Sequence, residues 1–105
     1  MSIVVTARAT AKEGCEGALE KVIRAVIAPT HAEEGCLKYA LHQSLEDSKQ
    51  FILVEKWSSK AAWEKHLGMP HIQNLFKQLP GLVMSPPEMQ AFSEILEGQV
   101  DKSSL

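Results

Sequence analysis

The spacing of apolar residues changes period several times along the chain, and each change marks an element. Residues 3–10 (Ile-Val-Val-Thr-Ala-Arg-Ala-Thr) are rich in small and β-branched side chains, which predicts a first strand. From residue 17 to about 28 the apolar positions are Leu19, Val22, Ile23, Val26 and Ile27, with Glu20, Lys21 and Arg24 between them. That is the stripe of an amphipathic helix. Pro29 removes a backbone donor and is expected to end or kink this helix, and Gly35 to stop any continuation. Residues 36–44 and 50–57 read as two strands joined by a turn at Glu46-Asp47-Ser48, hence an antiparallel hairpin. Ser58 or Ser59 caps a helix over 60–67, which Gly68 and Pro70 interrupt. Ile72, Leu75, Phe76 and Leu79 then recur at helical spacing in another short helix that ends at Pro80-Gly81. After the rigid Ser85-Pro86-Pro87 connector, residues 88–97 read as a fourth strand. Residues 1–98 thus form one domain and 99–105 a polar tail, either frayed or reaching over a neighbouring subunit.

The order β-α-β-β-α-β predicts an α+β, ferredoxin-like fold with its helices on one face of an antiparallel sheet. A sheet with one wet face should alternate apolar and polar residues. Here Phe51, Leu53 and Trp57 lie on one side of the third strand and Ile52 and Val54 on the other; in the first strand Ile3, Val5 and Ala7 oppose Val4. Two helices cover one face only. The expected remedy is a second copy packing sheet against sheet, a homodimer, with partial cover by loops and tail as the alternative.

Composition narrows the function classes. A chain of 105 residues with 45% hydrophobic and 23% charged residues has room for one core and is neither disordered nor fibrous. A net charge of -2 without a basic run gives no footprint for nucleic acid or for an anionic membrane surface. No apolar stretch approaches the length of a membrane span. The N-terminus reads as a strand and not a signal peptide, so Cys15 and Cys36 are expected as free thiols in the cytoplasm.

Glu55 is the unusual residue. It alternates with Leu53 and Trp57 on a side meant for burial, where a carboxylate must find a donor or hold its proton. A structural partner accounts for it; an acid–base pair with His66 or His71 beside an apolar pocket is the functional reading. His66 and His71 flank the Gly68–Pro70 break without any metal-binding motif, His31 suits a helix C-terminus, and His42 points to one sheet face. Trp63 is expected in the core, and Trp57 against a pocket between sheet and helices. No nucleophile elbow, phosphate loop or dinucleotide fingerprint is present.

The segments Glu34-Gly35-Cys36-Leu37-Lys38-Tyr39, Val54-Glu55-Lys56-Trp57 and His66-Leu67-Gly68-Met69-Pro70-His71, in this order, resemble the antibiotic biosynthesis monooxygenase family, in particular its small quinol monooxygenase branch. The resemblance implies a dimeric α+β barrel with a pocket between sheet and helices in each subunit. It also implies oxidation of a small aromatic substrate, a quinol or polycyclic phenol, by molecular oxygen with neither metal nor flavin nor other cofactor. His66 or His71 would then serve as base or proton shuttle, and Glu55 would orient or buffer a proton. Trp57 and Tyr39 would form the ring-binding wall, with Leu53 and Phe76 as further substrate contacts. Relatives of the same fold degrade haem or isomerise phosphorylated sugars. Haem-degrading relatives carry an asparagine on the first strand, which Ile3 to Thr10 lacks. A non-catalytic dimeric ligand-binding or stress-response protein is the remaining reading.

Overall fold

A computed structural model describes residues 1–105. Four antiparallel strands, β1 (Ile3–Thr10), β2 (Cys36–Gln43), β3 (Gln50–Trp57) and β4 (Glu88–Phe92), stand in the order β2-β3-β1-β4. This is the α+β ferredoxin-like arrangement that the element order predicts. Residues directly opposite in a ladder share a face. Val5 pairs with Glu55, Ala7 with Leu53, Tyr39 with Glu55 and Leu41 with Leu53, so these side chains form one surface with Phe51 and Trp57. Val4, Thr6, Ile52, Val54 and Lys56 form the other. Helices α1 (Glu16–His31) and α3 (Pro70–Gln78) cover the first surface, burying Leu19, Ile23 and Val26 of α1 and Ile72 and Leu75 of α3 against Val5, Phe51, Leu53 and Trp57.

Helix α1 runs through Pro29 to His31 instead of ending before it. Pro29 and Ala25, whose carbonyl loses its helical donor, are both exposed, so water can donate to the orphaned carbonyl and the helix continues. The chain turns at Gly35, where φ is +88° and an added Cβ would stand 2.6 Å from the Ala62 Cβ and 2.8 Å from the Ser58 Oγ. Both the backbone and the space admit only glycine there.

Helix α2 (Lys60–Leu67) begins at Ser59, whose hydroxyl accepts the Ala62 amide at 3.1 Å. Pro70 opens α3 three residues after α2 ends, so His66 and His71 stand on either side of the break. A 3-10 turn at Leu79–Gly81 leads to the connector into β4.

Strand β4 stops at Phe92 rather than reaching residue 97. Phe92 pairs with Val4 near the start of β1, and beyond it the fourth strand has no further partner. The tail is not frayed: α4 (Val100–Ser103) brings Ser104 and Leu105 back onto Lys56, whose Nζ donates to the Ser104 hydroxyl and the Leu105 carbonyl at 2.8 Å and lies 2.9 Å from the Glu94 carboxylate. This knot occupies one end of the sheet face opposite the helices. Phe92, Ile95, Leu96 and Val100 remain exposed, as does every residue of β4. No helix is long and apolar enough to cross a membrane.

Candidate active site

A narrow cavity of about 50 Å³ lies between the sheet and the two short helices. Tyr39, Leu41, Phe51, Leu53 and Glu55 line it from the sheet, Trp63, His66 and Leu67 from α2, and Ile72, Leu75 and Phe76 from α3. Strand alternation sends every second residue of β2 and β3 inward, and the kink between α2 and α3 turns His66 toward them. The wall is apolar except for a few convergent polar groups, the usual composition of a small-molecule site.

His66 is buried, packing edge-on to Tyr39 with ring centroids 5.4 Å apart and over Trp57 at 4.5 Å. Its Nδ1 donates to Glu33 Oε2 at 2.8 Å, which leaves Nε2 as the ring's free nitrogen. Burial pushes the His66 pKa down, against the opposing hydrogen bond and charge of Glu33, so the neutral ring is favoured. A neutral imidazole anchored at Nδ1 presents a lone pair at Nε2, which is what a general base needs.

His71 stands on the other side of the same carboxylate. Its Nε2 donates to Glu33 Oε2, also at 2.8 Å, and its ring lies 6.4 Å from that of His66. It does not line the cavity. Of the two histidines flanking the helix break, His66 reaches the cavity wall and His71 reaches only Glu33.

Glu55 is 3% exposed and accepts the Trp57 indole N–H at Oε1, 2.9 Å away. Burial raises its pKa to about 7, the Trp57 hydrogen bond pulls it down, and the charge of Glu33 adds to the rise. Near neutral pH this carboxyl is therefore divided between donor and acceptor forms. Burial, followed by the Glu55 and Glu33 charges, also raises the Tyr39 pKa, keeping its phenol protonated.

The cavity thus brings together Glu55, His66, Tyr39, Leu53 and Phe76. Trp57 is not part of its wall. It is fully buried and lies two ladder rows beyond Glu55, beside Ile3 and Cys36, where its indole serves Glu55 instead of a ligand. Trp63, expected in the core, lines the cavity instead. His31 bonds the Tyr39 carbonyl at 2.9 Å from Nε2, and His42 is exposed on the face away from the helices. Glu33 was not expected at all. It sits in the connection between α1 and β2, its two histidine partners are 33 and 38 residues away, and no periodicity marks it.

A sequence model of the antibiotic biosynthesis monooxygenase family matches residues 2–78. The chain belongs to that family. It is 34% identical over 84 residues to "Putative monooxygenase Rv0793" of Mycobacterium tuberculosis, spanning 80% of this chain and 82% of the relative. It is 27% identical over 63 residues to "Putative monooxygenase YcnE" of Bacillus subtilis, spanning 60% and 66%. Among solved structures, PA3566 from Pseudomonas aeruginosa superposes with a TM-score of 0.85 at 33% identity, covering 90% of this chain and 95% of that one. The structure of Rv0793 gives 0.87 at 29% identity, covering 94% and 100%. Family membership thus rests on β1 to α3, the part of the chain that also supplies most of the cavity wall.

Proposed function

We propose that the chain is a homodimeric cytoplasmic monooxygenase that oxidises a quinol or polycyclic phenol with molecular oxygen, using neither metal nor flavin. The observation that carries this reading is an apolar cavity whose wall holds one anchored neutral imidazole, His66, and one buried carboxyl, Glu55, poised near neutrality.

The chemistry suits those groups. His66 Nε2 takes the proton of a bound phenolic hydroxyl, and Glu33 holds the ring in the required tautomer. The resulting phenolate is electron-rich enough to pass an electron to oxygen. A naphthohydroquinone and O₂ then give a hydroxynaphthoquinone and water: one oxygen atom enters the ring, the other leaves as water, and the substrate supplies all the electrons. Tyr39 and the protonated form of Glu55 are placed to donate to oxygen atoms that gain charge, and the apolar walls keep bulk water from radical intermediates. Phe76, Trp63 and Leu53 supply the surface against which a flat ring packs. The dimer follows from the open face of the sheet: Ile52, Val54, Phe92 and the exposed apolar residues after it need a cover, and a second copy provides one.

Oxygen uptake by metal-stripped protein with a naphthohydroquinone or anthrone tests the activity. Uptake above the uncatalysed rate is expected; uptake at that rate overturns the reading for these substrates.

A further inference from the structure

Glu33, His66 and His71 place one carboxylate oxygen and two imidazole nitrogens within 4.8 Å of one another. The side chains of Glu33 and His66 are 7% and 4% exposed, while that of His71 is 18% exposed, so the cluster is closed toward the core and reachable from the His71 side. The hydrogen bonds that the Glu33 carboxylate receives come from these two rings, and no lysine or arginine pairs with it. Buried carboxylates are normally matched by a full positive charge or by a metal ion. Here the matching groups are two imidazoles aimed at one oxygen. Each ring can move its proton to its far nitrogen and turn a lone pair toward the same point. Two imidazole nitrogens and a carboxylate oxygen form a donor set suited to zinc-like divalent cations, with the fourth position left for water.

We propose that Glu33, His66 and His71 bind one divalent transition cation of the zinc class, and that its binding switches off the base that faces the cavity. Bonds of about 2.0–2.2 Å require the ligand atoms to spread slightly from their present 2.8 Å spacings. The side-chain torsions of Glu33 let its carboxylate make this adjustment while the backbone stays in place. A cation on His66 Nδ1 moves the ring's proton to Nε2, so the nitrogen available to the cavity becomes a donor and accepts no proton from substrate. The binding claim stands without the proposed function; the inhibitory consequence rests on it.

Titration of the metal-stripped full chain with Zn²⁺ by calorimetry, and with Co²⁺ by absorption, tests the site. Saturation at one cation per chain is expected, with visible Co²⁺ bands of low coordination number and no thiolate charge-transfer band. Glu33→Gln and His71→Asn should each weaken binding about tenfold or more, with circular dichroism reporting that the fold is retained. Because His71 is partly exposed, His71→Asn serves if Glu33→Gln fails to fold. A Cys15→Ser, Cys36→Ser chain should bind as the parent does. Absence of saturable binding at micromolar cation, binding that survives both ligand substitutions, or binding lost with the thiols overturns the site. In the oxygen-uptake assay, Zn²⁺ should abolish turnover and a chelator restore it; bound cation with undiminished uptake overturns the inhibitory half. Stripped protein without turnover counts against the proposed function alone, because calorimetry decides the site.

Discussion

Trp57 donates its indole N–H to the carboxylate of Glu55 across 2.9 Å, two positions apart on the same face of β3. The bond satisfies an indole that is fully buried and gives a carboxyl at the cavity wall one fixed acceptor role. It stabilises the ionised form of Glu55 against a larger effect of burial, which is why the pKa settles at about 7.

Glu55 makes the stability of the fold depend on pH. The folded pKa of Glu55, about 7, lies above the unfolded value near 4.5, so the folded state holds a proton that the unfolded state releases between those values. The contribution of Glu55 is therefore fully present below pH 4.5 and is lost as pH rises through 7, by up to roughly 3 kcal/mol. His66 acts with the opposite sign. Its folded pKa lies below 6.5, so stability falls as acid forces a proton onto it. The two slopes offset each other in the parent protein. Glu55→Gln removes one of them, and its stability relative to the parent should rise from pH 4.5 to about 7 and level off above that. Urea unfolding at fixed protein concentration measures this; a pH-independent difference would show that Glu55 does not titrate in that window.

Trp57→Phe removes the indole donor while keeping an aromatic of similar shape. Loss of a buried hydrogen bond to a carboxyl costs about 1–3 kcal/mol. The same change takes away the one interaction that lowers the Glu55 pKa, so the carboxyl should titrate at higher pH than in the parent. Infrared titration of the carboxylate band reports the direction of that shift, and a downward movement would contradict the arrangement.

These two residues also show what the sequence carries. Alternation in β3 sorted Leu53, Glu55 and Trp57 from Ile52 and Val54 because a strand's period of two leaves no other choice. It did not say how deep each inward residue lies. Trp57 shares a face with Glu55 but pairs with Ile3 and Cys36 at the end of the sheet, beyond the cavity. The helix stripe from Leu19 to Ile27 was equally readable, whereas its overrun past Pro29 depended on which face met solvent. The length of β4 was set by where β1 begins, a relationship between distant segments. Glu33 lies furthest from any local signal: only the packing of the α1–β2 connection against the α2–α3 break brings it to His66 and His71.

Replacing the histidines separates their roles. His66→Ala removes the group proposed to accept the substrate proton, and turnover should fall by about 10²–10⁴-fold. His71→Ala leaves His66 and its bond to Glu33 in place, so a smaller loss is expected. Steady-state oxygen uptake with a naphthohydroquinone gives both numbers, and sedimentation checks that the assembly is unchanged. Equal losses in the two variants would show that His71 takes part in proton transfer as fully as His66.

Gly35 tests the turn that delivers Glu33. Its φ of +88° lies in the left-handed region, and a methyl group there would meet the Ala62 Cβ at 2.6 Å. The backbone conformation alone costs an alanine about 1–2 kcal/mol, and the forced contact with α2 adds roughly 1–3 kcal/mol. Gly35→Ala should therefore destabilise the chain by about 2–5 kcal/mol. The paired substitution Ala62→Gly removes the contact with α2 but leaves the Ser58 Oγ contact and the backbone strain, so the double variant should recover only part of the steric cost, less the small cost of a glycine in the first turn of α2. Thermal unfolding of the single and double variants measures the split. Full recovery in the double variant would mean that the backbone at residue 35 relaxes freely, in which case Glu33 is not held where His66 needs it and turnover should fall in both variants alike.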